Sequence, residues 1–150
     1  AGYLNGCLDP RRFQRTMALR VLPGLLAKIF TRGLLTQTWA RRFMALNLPL
    51  WLQRKPSAEI EIRRYPAHFH INLEPTFRAH HVGHALIDAF LPRLQLARIP
   101  GVHVSVREDN NRARKFFEHF GFNVFARVPF MRLPARPEVV LYSILYGKSL

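Results

Sequence analysis

Residues 67–86 read AHFHINLEPTFRAHHVGHAL, and two different periods meet within them. Phe69, Ile71 and Leu73 alternate with His68, His70 and Asn72, the two-residue period of a strand. From about His80 to Leu96, Val82, Ala85, Leu86, Ala89 and Phe90 fall at helical spacing instead. Pro92 lies inside that helix and predicts a local kink or an early end. A strand feeding into a helix through Arg78–His84 leaves unpaired N–H groups at the helix start. With the helix dipole, these make an anion site without any charged side chain. Ala79 and Gly83 are small enough to let a phosphate approach the backbone. Many strand–loop–helix connections have such groups and bind nothing, so this segment alone leaves both readings open.

Downstream, the alternation continues. Pro100-Gly101 turns the chain into a strand over Val102–Val106. Asp109 or Asn110 can cap a helix that carries Ala113, Phe116, Phe117 and Phe120 at i, i+3, i+4 and i+7, with Gly121 suited to its C-terminal end. Val124–Val128 and Val139–Tyr146 are the last two strands, joined by a proline-rich loop at Pro129–Pro137. The order β-α-β-α-β-β predicts an α/β or α+β fold with a mixed sheet.

Upstream, Gly2–Leu8 reads as a strand with no helix or cap before it. A helical insert at about 10–47 follows. Its first segment repeats Phe13, Met17, Val21 and Leu25 every four residues, and Pro23-Gly24 is expected to break or kink it. A second amphipathic segment carries Trp39, Phe43 and Leu46 beside Arg41 and Arg42. Asn47–Pro66 reads as a connecting loop with one short extended piece at Glu59–Arg63.

The 150 residues suit one compact domain, and 49% hydrophobic content argues against disorder. Cys7 is the single cysteine, so no internal disulfide can form, and a cytoplasmic setting is the default. No secretory signal or membrane-spanning run is visible. A net charge of +14 is compatible with nucleic acid, a membrane surface, a polyanionic ligand or an arginine-rich genome. The arginines are scattered, and the basic helices lack the aromatic interleaving of a single-strand groove and helix-turn-helix spacing, so nucleic acid is not the expected partner. His68 and His70 share a strand face, and His80 and His84 stand at i, i+4, a known ligand spacing. No cysteine joins either pair, and no metal is expected.

The segment EPTFRAHHVGHAL resembles motif A of the GNAT superfamily of N-acetyltransferases, through Arg78, Val82, Gly83 and Ala85. His81 stands where that family normally has glycine. NNRARKFFEHFGF, residues 110–122, resembles motif B. Two motifs in the right order around a strand are far more specific than either alone, and the resemblance covers at least 67–128. The chain is also similar to bacterial acetyltransferases related to the C-terminal acetyltransferase-like domain of O-GlcNAcase, through GYLNGCLD, the helical insert, AHFHINLEP and PGVHVSVREDN. That group has about two helices and one or two strands before the GY-containing strand. Their absence here reads as a fragment, or as a product whose gene begins upstream.

The resemblance implies a single GNAT-like domain over 1–150, with an insert and connection over 9–66 and an acyl-CoA-binding core over 67–150. It implies transfer of an acetyl group from acetyl-CoA to an amine acceptor, small molecule or protein, by direct attack in a ternary complex. The pantetheine arm would bond the backbone near Ile71 and Leu73. The pyrophosphate would sit on Arg78, Ala79, His80, His81, Val82, Gly83 and His84, with Asn110, Ala113, Phe116 and Phe117 lining the thioester end. Many relatives use a tyrosine as the acid where Phe117 stands. His70 and Asn72 are the catalytic candidates, with His103 and Glu108 as further positions for a base. A non-catalytic module that binds CoA or a protein partner is the alternative, and a homodimer is compatible with either.

Overall fold

The computed structural model describes residues 2–8, 10–31, 33, 36–52, 63–77 and 81–150. Strand β1 (Gly2–Cys7) leads into helix α1 (Pro10–Thr16), one π-helical stretch (Met17–Val21) and helix α2 (Leu22–Thr31). Helix α3 (Thr38–Leu52) completes the insert. Then come β2 (Ala67–Leu73), α4 (Val82–Leu96), β3 (Gly101–Arg107), α5 (Asn111–His119), β4 (Asn123–Leu133) and β5 (Arg136–Ser149). The five strands form one mixed sheet in the order β1-β2-β3-β5-β4, flanked by helices.

The feature that shapes the molecule is the junction of β2 and β3. These strands are parallel, and their register consists of Ala67 with Val102 and His68 with His103. Each then follows its other neighbour: β2 stays paired with β1 up to Gly2–Leu73, and β3 stays paired with β5 through Arg107–Ser143. The sheet therefore splits between the C-terminal halves of β2 and β3.

One face of the sheet packs the core. Ala67 and Phe69 of β2, Val102, Val104 and Val106 of β3, and Ile144 and Tyr146 of β5 meet Ile87 and Leu94 of α4 and Phe117 of α5. Phe69 is fully buried, with ring centroids 5.3 Å from Phe90 and 5.9 Å from Phe117. Burial of such a ring contributes about 2–3 kcal/mol. Helix α5 is closed at both ends by the residues expected from sequence. The Asn110 side chain accepts from the Ala113 N–H at 3.1 Å. At the other end Gly121 adopts φ +74°, and its N–H and that of Phe122 return to the carbonyls of Glu118 and Phe117.

Several expectations are corrected. Pro23-Gly24 does not break the first insert helix. The chain widens just before it, where the Leu22 N–H reaches the Met17 carbonyl five residues back, and then continues to Thr31. The loop expected from Asn47 is helical to Leu52, with Pro49 inside α3. Of the extended piece at Glu59–Arg63, only Arg63 is among the described residues, and it stands in a helical turn. Pro92 does not end α4 early, because Asp88 and Pro92 are both exposed and water can solvate the carbonyl left without a donor. The proline-rich loop is instead a long hairpin turning at Pro134-Ala135. Strand β4 is the sheet's edge and carries register shifts beside Pro129, the setting in which a strand tolerates proline.

Candidate acyl-CoA site

The split in the sheet opens a cavity of about 320 Å³. His70, Ile71, Asn72 and Leu73 wall it from β2, and Val104–Arg107 wall it from β3. Alternate residues of a strand turn their N–H and C=O toward the same edge, so a split between strands exposes backbone hydrogen-bonding groups to whatever enters. Gly83 and His84 of α4 line the rest of it together with Asn110, Arg112, Ala113, Phe116 and Phe117.

The start of α4 has the anion-binding geometry. Its first internal bond runs from the Ala85 N–H to the His81 carbonyl at 3.0 Å, so the preceding N–H groups have no intrahelical acceptor. No acidic side chain occupies the first turn. Gly83 is buried, and a Cβ there would lie 3.1 Å from both Leu73 Cδ1 and Phe116 Cζ. The absence of a side chain at this position lets α4 seat against β2 and α5 while remaining part of the cavity wall. His81 precedes the helix in the left-handed region, φ 54° and ψ 11°, which explains why α4 starts at Val82 and not at His80. That conformation costs a non-glycine residue about 1 kcal/mol. Arg78, Ala79 and His80, three of the expected phosphate-binding residues, lie outside the described residues.

The sequence-based candidates separate by position. Ile71, Leu73, Gly83, His84, Asn110, Ala113, Phe116, Phe117, His70 and Asn72 all line the cavity. His81 and Val82 sit at the helix entrance beside it, with the His81 and His84 rings 5.2 Å apart. His103 is engaged elsewhere: its Nδ1 donates to the Tyr65 carbonyl at 2.6 Å. Burial lowers its pKa, opposed by its hydrogen bonds to the backbone of Tyr65 and Ala67. Glu108 is held by the Arg127 guanidinium at 2.6 and 2.8 Å, which lowers its carboxyl pKa.

His68, with ring centroids 4.6 Å from His70 and 4.9 Å from His103, has its pKa lowered to about 4. Burial is the main cause, followed by the charges of His103 and His70. Phe117 is 3% exposed and has no proton to donate. The core tyrosine beside it, Tyr146, donates to Glu118 at 2.8 Å and accepts from Arg114 at 3.2 Å. Burial is the first cause raising its pKa.

Val104, Ser105, Val106, Arg107 and Arg112 are cavity residues that the motifs did not mark. The signal for the first three was the strand at Val102–Val106 itself, whose wall is exposed only because β2 leaves it. Arg112 occupies a variable position of the second motif, two residues past its asparagine.

A split parallel pair, with a helix start at its mouth and an aromatic wall, is an arrangement that suits an elongated anionic ligand. The model of the Acetyltransferase (GNAT) family matches residues 43–122, more than half of the chain, and the chain belongs to that family. Among solved structures, SsHAT is 25% identical over 99% of this chain and 65% of its own, with a TM-score of 0.62. A candidate streptothricin acetyltransferase of Bacillus anthracis, in complex with acetyl coenzyme A, is 20% identical over 59% of this chain and 50% of its own, with a TM-score of 0.52. Arabidopsis thaliana NAA60, in complex with a bisubstrate analogue, is 19% identical over 55% and 48%, with a TM-score of 0.50. The last two share the fold. The chain thus spans 65% of the first of these proteins and about half of the others.

Proposed function

We propose that the protein is an acyl-CoA-dependent N-acetyltransferase that transfers an acetyl group to an amine by direct attack in a ternary complex. The observation that carries this reading is the cavity at the β2–β3 split, lined by residues of both motifs. Exposed strand edges face a polyamide arm, bare helix N–H groups face phosphates, and Gly83 keeps the wall thin between them. The bound form of a fold relative with acetyl coenzyme A supports the same assignment.

Acetyl-CoA, when bound, supplies the activated thioester, and this chain's residues supply position and proton handling. Ile71 and Leu73 hold the arm through their backbone. The segment Arg78–His84 would hold the phosphates, and Asn110, Ala113, Phe116 and Phe117 would enclose the reacting end. His70, exposed on the β2 wall, is the base that takes the amine proton, and Asn72 orients the acceptor by hydrogen bonding. Thiolate is a good enough leaving group to depart to water without an acid at Phe117. The chain acts as one domain over 1–150, in the cytoplasm. Its insert between β1 and β2 supports membership of the O-GlcNAcase-related subgroup.

Isothermal calorimetry with acetyl-CoA tests the cofactor site. Micromolar binding is expected, lost in Gly83→Val, whose branched side chain would enter the space held by Leu73 and Phe116. Absence of binding at millimolar acetyl-CoA would refute the site. A second reading, a non-catalytic CoA-binding module, is favoured by Phe117 and by His81 at the phosphate loop. It predicts binding without amine-dependent release of free CoA thiol across a panel of amines.

A further inference from the structure

None of the described residues from Pro10 to Thr31 lines the cavity, and most of the side chains described there face solvent. Every side chain described between Arg12 and Lys28 is exposed. Phe13 is 55% exposed, Met17 41%, Val21 44% and Leu25 51%. These four stand four residues apart, a repeat that would drift around an α-helix of 3.6 residues per turn. The π-helical stretch at Met17–Val21 is wider than an α turn and offsets part of that drift, which keeps these residues nearer one side of the helix. Arg12 and Arg20 directly precede Phe13 and Val21, and Lys28 directly precedes Ile29, four residues past Leu25, which sets basic groups along one flank of the apolar residues. Over residues 10–52 the chain carries eight cations, Arg11, Arg12, Arg15, Arg20, Lys28, Arg32, Arg41 and Arg42, and no Asp or Glu.

We propose that α1, the π-helical stretch and α2 form an interfacial helix that lies on an anionic lipid bilayer. Its apolar row enters the acyl boundary while the basic row reaches lipid phosphates. An exposed apolar row parallel to a basic one is the pattern of surface-lying helices. No described helix is long and apolar enough to cross a membrane, and this one has no need to. Charge complementarity selects the occupant. A second copy would bring the five cations of residues 10–31 against five more with no carboxylate in the stretch, and a nucleic acid would leave the apolar row in water.

The test is co-sedimentation of the whole chain with vesicles of phosphatidylcholine, with and without phosphatidylglycerol. Partitioning is expected to be about tenfold or more stronger on the anionic vesicles and to weaken as salt is raised. The double variant Val21→Glu/Leu25→Glu should lose about tenfold or more of it. Arg12→Ala/Arg20→Ala/Lys28→Ala should lose the preference for anionic lipid. Val21 and Leu25 are exposed, so thermal melting of the double glutamate variant should match the parent chain.

Three results would overturn the proposal. One is no vesicle binding at low salt. Another is a self-association, seen by light scattering, that the glutamates abolish while vesicle binding stays unchanged. The third is duplex DNA binding tighter than vesicle binding and indifferent to the glutamates.

Discussion

His81 combines two unusual properties, a left-handed backbone and a position where the family normally has glycine. The αL region crowds the Cβ of an L-residue against its neighbouring carbonyl, and glycine has no such contact. His81→Gly is therefore expected to stabilise the fold, by about 0.5 kcal/mol once the greater freedom of glycine in the unfolded chain is deducted. Chemical denaturation would show it as a higher midpoint at unchanged slope. A lower midpoint would mean that the imidazole contacts with His84 outweigh the backbone cost. Gly83 is the complementary case, with an ordinary helical backbone but too little room for a side chain. The motif marked both positions in the sequence. Which of them is limited by backbone angle and which by space depends on Leu73 and Phe116, far apart in the chain.

At the scale of elements, α3 is held to the sheet through Asn47. This residue is fully buried, donates to the Phe43 carbonyl at 2.9 Å and the Arg132 carbonyl at 3.0 Å, and accepts the Arg132 N–H at 2.7 Å. It caps the outward groups of the edge strand β4 as a neighbouring strand would. Asn47→Leu should cost about 2–3 kcal/mol, since it strands a buried N–H and C=O together. Thermal unfolding would show the loss, and an unchanged melting temperature would mean that water takes over both groups. This contact also explains why a segment that reads as loop from Asn47 continues as helix. An asparagine and a proline argue locally for a break, and the bond to Arg132, 85 residues away, keeps the helix running. The hairpin that replaces the proline-rich loop has the same origin, because β5 supplies a partner along its length and the open edge forgives missing donors.

For the molecule as a whole, the histidines on β2 and β3 set an acid limit. His68 holds its proton only below about pH 4 in the fold, against 6.5 for a free histidine, and His103 is lowered as well. Between pH 6.5 and 4 the unfolded chain binds protons that the folded chain does not. Stability is then complete above 6.5 and falls as the pH drops through that window. The half-buried His68 ring accounts for about 1 kcal/mol of the loss after solvent screening. A melting series over this range should show the decline, and His68→Gln should flatten it. An equal slope in the variant would assign the effect to other groups.

The sequence by itself determined the succession of strands and helices from Ala67 onward, the Asn110 and Gly121 ends of α5, and the two motifs of an acyl-CoA fold. These depend on residues near one another in the chain: side-chain period, a cap three residues from its donor, a glycine at one turn. Only the tertiary structure decided that β2 and β3 part after His68 and His103, and so which of the four candidate catalytic residues face a cavity. Strand separation is set by which neighbour each strand keeps, a long-range competition that no local period records. The same holds for the apolar residues of the insert, legible as a repeat in the sequence but recognisable as an exposed surface only in the folded chain.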